Sequence, residues 1–67
     1  MSPKRLGRML KTLRESKGLT QVELASKAKL TQPYLAELEA EKKQNPSLAL
    51  LQRLAKALGI PVTELLG

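Results

Sequence analysis

No cysteine and no histidine occurs among the 67 residues. Disulfides, thiolate and imidazole metal sites, and catalytic pairs built on either residue are therefore absent. No glycine-rich phosphate loop is present, and Glu37, Glu39 and Glu41 do not form an obvious acid–base pair. Positions 37 and 41 share a helical face, but a solvated helix end accounts for them. No enzyme activity and no cofactor is expected. What remains is charge and hydrogen bonding. Twelve Lys and Arg stand against six acidic residues, a net charge of +6, so polyanions are the natural partners. The plain alternative is a basic surface that only keeps the chain in solution. An anionic membrane is a poorer partner, because no stretch joins a continuous basic face to a bulky apolar face free of core duty. No apolar run approaches the roughly 20 residues of a membrane span, and no signal-peptide pattern is visible. A cytoplasmic location follows by default.

The polar residues best suited to reading a nucleic acid lie in the stretch Gln32-Pro33-Tyr34-Leu35-Ala36-Glu37. A glutamine makes two hydrogen bonds to adenine in the major groove, so Gln32 is a candidate base reader. Its bland alternative is a solvated residue in a first helical turn. Tyr34, the single aromatic side chain, could touch a thymine methyl or a phosphate, or equally cover a junction between helices. Ala36 leaves room on the same side. Glu37 can accept from cytosine N4 but repels phosphates, and could instead pair with Lys29 or Lys42. Lys42 and Lys43 supply point charges for a phosphate backbone.

These side chains need helices to aim them, and the apolar spacing supplies five. Leu6, Met9, Leu10 and Leu13 predict a helix over 4–17, with Gly18 as a left-handed stop and Leu19 folding back. Thr20 with Glu23 makes a capping box for a second helix over 21–28, whose apolar or small face is Leu24, Ala25 and Ala28. Lys29-Leu30 breaks the period. Thr31 caps a third helix over 32–40, where Pro33 is tolerated in the first turn and Leu35 and Leu38 face inward. Asn45-Pro46 stops any continuation, and Ser47 caps a fourth helix over 48–58 with Leu48, Leu51, Leu54, Ala55 and Leu58 inward. After Gly59 and Ile60-Pro61, a short helix over 62–66 carries Val62, Leu65 and Leu66. Leu50 falls off the inward stripe and is expected to form an exposed apolar patch with Ile60 and Val62. Gln32 and Glu37 are expected on the outward face of the third helix. The free N–H groups of helix starts favour anions.

In this order and spacing, LKTLRESKGLTQVELA, TQPYLAELE and NPSLALLQRLAKALGIPVTELL resemble the phage-repressor/Cro-type (xenobiotic-response-element) helix-turn-helix family over nearly the whole chain. The resemblance implies an all-α, five-helix, lambda-repressor-like domain over 1–67, with the helix-turn-helix at helices 2 and 3. It implies a repressor-like regulator that binds double-stranded DNA with helix 3 in the major groove, commonly as a homodimer on DNA. Gln21 and Ser47 match the family's backbone-clamping positions, and Thr31, Lys42 and Lys43 join them as phosphate contacts. Arg14 and Glu39 match a structural ion pair tying helix 1 to the end of helix 3. The Leu50, Ile60 and Val62 patch suits a dimer contact. Three positions depart from the pattern. Glu37 stands where a polar or basic residue is usual, and Lys29 and Glu41 stand where glycine is usual; the loop after Glu41 is one residue longer. The rival reading is a protein-interaction module of the same fold, as in antitoxins or bridging factors. No small-molecule effector is evident.

Overall fold

The computed structural model describes the backbone of residues 3–42 and 46–66 and the side chains of these from residue 6 onward. Among the described residues the regular structure is helical: α1 (Pro3–Ser16), α2 (Gln21–Ala28), α3 (Gln32–Glu39), α4 (Leu48–Leu58) and α5 (Thr63–Leu66). The ends of α1, α3 and α5 differ by one residue from the spacing-based spans. None of these helices is long and apolar enough to cross a membrane.

The starts follow local chemistry. Thr20 accepts the Glu23 N–H while the Glu23 carboxylate accepts the Thr20 N–H at 2.8 Å, closing the capping box. That backbone hydrogen bond holds the Glu23 carboxyl below its ordinary pKa. Thr31 and Ser47 accept the N–H groups of Tyr34 and Leu50 in the same manner.

The ends share one device. After α1, α2, α3 and α4 the chain closes with a pair of backbone bonds around a left-handed residue: Gly18, Lys29, Glu41 and Gly59 respectively. At α2 the Leu30 N–H reaches the Ala25 carbonyl at 2.8 Å, and at α3 the Lys42 N–H reaches Glu37 at 2.9 Å. Glycine adopts this conformation freely at Gly18 and Gly59. Lys29 (φ 60°) and Glu41 (φ 65°) adopt it with a side chain attached, against a steric cost. Both non-glycine stops bracket α3.

The described core is aliphatic. Leu6, Leu10, Leu24, Leu35, Leu38, Leu51, Leu54, Leu58 and Leu65 are buried together with Ala25, Ala28 and Ala55. Small residues at 25 and 28 let α2 lie close against its neighbours, and half-buried Leu30 and Tyr34 pack on the same core. A second close approach joins α1 to the end of α3. A Cβ on Gly7 would sit 2.5 Å from the Leu38 carbonyl oxygen, inside van der Waals contact, so only glycine fits there.

Two apolar expectations on α4 are reversed. Leu50 is buried at 8 % exposure and belongs to the core, whereas Leu48 is 54 % exposed. The stripe of Leu51, Leu54, Ala55 and Leu58 leaves these two residues on opposite flanks, each about 80° from its centre at 3.6 residues per turn. Periodicity treats the flanks alike, and neighbouring elements cover only the Leu50 side.

Candidate functional site

The fold brings the first residues of α2 and α3 together. Gln21 opens α2 and Gln32 opens α3, and the Gln32 Nε2 donates to Gln21 Oε1 at 2.8 Å. The Gln21 Nε2 donates in turn to Glu39 Oε1 at 3.1 Å. Glu39 is held by Arg14, whose Nε and Nη2 meet the two carboxylate oxygens at 2.7 and 3.0 Å. The remaining arm of the guanidinium, Nη1, donates to the Leu19 carbonyl at 2.8 Å. Four side chains from α1, α2 and α3 thus form one chain of hydrogen bonds running from the interior to the surface.

The direction of that chain is fixed by its inner end. An ionised carboxylate only accepts, so Gln21 must turn its amide nitrogen inward and its oxygen toward Gln32. Gln32 must then answer with its nitrogen. The Gln32 oxygen and its second N–H are left for another partner, the acceptor-plus-donor pair that adenine N6 and N7 require. Arg14 and Glu39 are buried, at 8 % and 9 % exposure. The hydrogen bond to Glu39 outweighs desolvation and holds the arginine pKa above its ordinary value. A fork-on-fork pair of this kind fixes relative position well; as a source of net stability it is weak, because desolvation offsets the attraction.

Gln32 is therefore not on the fully outward face of α3. It shares a face with Glu39, seven residues on, and is half-buried. The outward stripe runs through Pro33, Ala36, Glu37 and Ala40, with Pro33 and Ala40 exposed and Ala36 and Glu37 half-exposed. Gln32 flanks this stripe on one side and Tyr34 on the other. Tyr34 packs against the core, and its N–H goes to the Thr31 hydroxyl. Glu37 makes no ion pair with Lys29 or Lys42; its carboxylate stands on the stripe.

The phosphate candidates occupy helix edges. Thr31 and Ser47 are exposed caps whose oxygens are engaged by backbone N–H groups, leaving each hydroxyl hydrogen free to donate outward. Lys42 is exposed just past α3. Lys43 and the Asn45 stop lie outside the described residues. The patch of Leu50, Ile60 and Val62 does not form as expected: Leu50 is buried, and Ile60 and Val62 are half-buried against the core. Among the described residues, the large apolar side chains exposed instead are Val22, Leu48 and Leu66. Val22 and Leu48 stand in the first turns of α2 and α4, beside Gln21 and Ser47.

Arg53 is a residue that sequence reasoning passed over. From α4 its Nε donates to the Ala28 carbonyl at 3.0 Å and its Nη2 to the Lys29 carbonyl at 2.8 Å. These carbonyls end α2 and would otherwise lack partners. Arg53 thereby pins the turn that leads into α3. Nothing in the local sequence distinguishes it from any solvated arginine on a polar helix face.

A model of the helix-turn-helix family matches residues 10–65. The immunity repressor protein of Bacillus phage phi105 is 45 % identical over 62 residues, which cover 92 % of this chain and 42 % of the repressor. The chain thus spans less than half the length of that relative. Among solved structures, the restriction-modification controller protein C.AhdI from Aeromonas hydrophila superposes with a TM-score of 0.89 at 36 % identity, covering 94 % of each chain. The master regulator for biofilm formation SinR, solved in complex with DNA, gives 0.88 at 34 % identity, covering 92 % of this chain and 98 % of that one.

Proposed function

The chain belongs to the Cro/C1-type helix-turn-helix family, and on that footing we propose that it binds double-stranded DNA as a repressor-like transcriptional regulator. The start of α3 enters the major groove. The observation that carries this reading is the Gln21–Gln32 contact at the joined starts of α2 and α3. It leaves Gln32 with one acceptor and one donor, pre-set by the buried Arg14–Glu39 pair, so little side-chain freedom is lost when adenine is met.

Phosphates are engaged at the edges of the same surface. The free N–H groups and positive dipole ends at the starts of α2 and α4 favour anions. Gln21 and Ser47 stand at those starts, Thr31 and Lys42 flank α3, and Lys43 is a further candidate from its charge alone. These contacts set register and carry no sequence information. Base choice falls to Gln32 and to the stripe of Ala36 and Glu37, with Tyr34 at its margin. Ala36 lets the helix approach closely, and Glu37 prefers a cytosine N4 donor over any acceptor edge. A DNA target places the work of the domain in the cytoplasm or nucleoid.

The test is selection of bound sequences from random duplexes, followed by substitution. Gln32→Ala should cost about 1–3 kcal/mol on the selected site and much less on scrambled duplex, the loss of a bidentate base contact. Equal losses on both duplexes would reduce Gln32 to a phosphate contact. No enrichment of any sequence would overturn base reading altogether.

A further inference from the structure

At the other ends of α2 and α4 the chain builds a second basic site. A surface cavity of about 380 Å³ is lined by Lys27, Ala28 and Lys29 from the end of α2 and by Arg53, Lys56 and Ala57 from α4. Four of its six lining residues are cationic and none is acidic. They are a third of the twelve Lys and Arg in the chain. We propose that this cavity binds a compact anion carrying two or more phosphoryl groups, separately from the duplex.

Lys27 and Lys56 stand in the last turns of α2 and α4, but a helix end carries only about half a negative charge, so the two dipoles offset only part of the four cations. Two helices end here, and cations at helix ends are ordinarily stabilising. Arg53 alone, however, already donates to both of the α2 carbonyls that face it. Lys27, Lys29 and Lys56 are exposed and make no ion pair within the described residues. Glu23 feels the charge of Lys27 one turn away but does not pair with it. Like charges gathered without counter-charge repel one another and lower the stability of the domain. An anion relieves that repulsion.

The donor set narrows the class. Two of the five guanidinium N–H groups of Arg53 are spent on carbonyls, leaving three directed elsewhere. Three lysines add compact, strongly hydrated point charges on flexible stems, which suit tetrahedral phosphoryl groups better than a planar carboxylate. One phosphoryl group at neutral pH carries at most about two charges, so two or more match four cations. The apolar part of the lining is Ala28 and Ala57 with no aromatic ring, and offers no stacking surface for a base.

Position separates this site from the duplex. Lys27 lies six residues along α2 from Gln21, about 9 Å of helix rise, and Lys56 lies nine residues along α4 from Ser47, about 13 Å. The cavity is thus built on the later turns of these helices, and their anion-favouring starts do not line it.

Titration of the whole chain with inorganic tripolyphosphate tests the site, read by backbone amide shifts against sodium sulfate at equal ionic strength. Shifts should concentrate at 27–29, 53 and 56–57 and saturate with tripolyphosphate while sulfate at equal ionic strength leaves them small. The K27Q/K56Q double variant, altered at two exposed positions, should bind about tenfold more weakly from the loss of two nearby charges, while its duplex affinity stays unchanged. Adenosine diphosphate binding like tripolyphosphate would assign recognition to the phosphate chain; clearly tighter binding would overturn the proposal, because the lining has no surface for a base. Shifts centred on Gln21 and Ser47, or equal responses to sulfate, would overturn the proposal. So would a parallel loss of duplex affinity in the double variant, since the cavity would then belong to the DNA track.

Discussion

Lys29 and Glu41 are the two residues at which side-chain identity opposes backbone conformation. Each stops a helix in the left-handed region, where the Cβ crowds the following carbonyl. The flanking bonds are intact at both places, so the strain is met by the helix-ending bond pair and, after Lys29, by Arg53 as well. Replacing Lys29 by glycine keeps the carbonyl that Arg53 uses and removes the crowding. Lys29→Gly should therefore raise stability by roughly 1 kcal/mol, measured by urea or thermal unfolding. A clear loss of stability would mean that the lysine side chain contributes more than its backbone costs.

Among elements, α3 is the one whose placement is over-determined. Its start is tied to α2 through Gln21 and Gln32, its end to α1 through Glu39 and Arg14, and its entry turn to α4 through Arg53. The α1–α3 crossing adds a fourth constraint at Gly7, where the nearest atoms to an added Cβ are the Leu38 carbonyl oxygen at 2.5 Å and Glu41 Cγ at 2.7 Å. The carbonyl is backbone and cannot swing aside. Gly7→Ala, although it improves intrinsic helix propensity, should destabilise the domain by about 1–3 kcal/mol through overpacking. The same shift should loosen the Arg14–Glu39 fork, so operator affinity should fall together with stability. Unfolding midpoints at or above those of the unsubstituted chain would show that α1 can slide over α3 without cost.

At the scale of the whole fold, each copy of the fold has one recognition helix in the proposed reading, and a short half-site gives limited discrimination. Two copies on a pseudo-palindromic site would place their α3 starts about 34 Å apart, one helical turn of DNA. With Leu50 in the core, the apolar surface left for such a contact near the carboxyl-terminal helix is Leu66, which is 39 % exposed, with half-buried Ile60 and Val62. We propose that this surface supports a small contact made on DNA. Inserting half a helical turn between half-sites should abolish cooperative binding while leaving single-site binding intact, as read by footprinting. Affinity should fall with salt in log–log form by about 0.9 per phosphate neutralised. Indifference to spacing would leave each copy binding alone.

What the sequence determined by itself is whatever depends on neighbours along the chain. Helix spans, the Thr20, Thr31 and Ser47 caps, and the left-handed stops at Gly18 and Gly59 follow from spacing and turn chemistry within a few residues. The absence of cysteine and histidine bounded the chemistry, and resemblance to a family supplied the Arg14–Glu39 pair. The tertiary structure decided what depends on angle and distance between elements. Leu48 and Leu50 stand at equal angles on either flank of one helix, and only the packing of other helices makes one core and the other surface. Gln32 joins the hydrogen-bond chain because the fold brings the start of α2 beside the start of α3. Arg53 acquires a role because the end of α2 lies within its reach, and the four cations of the cavity, spread over thirty positions, meet only when α2 and α4 do. Each of these joins residues far apart in the chain, where a period of 3.6 carries no information.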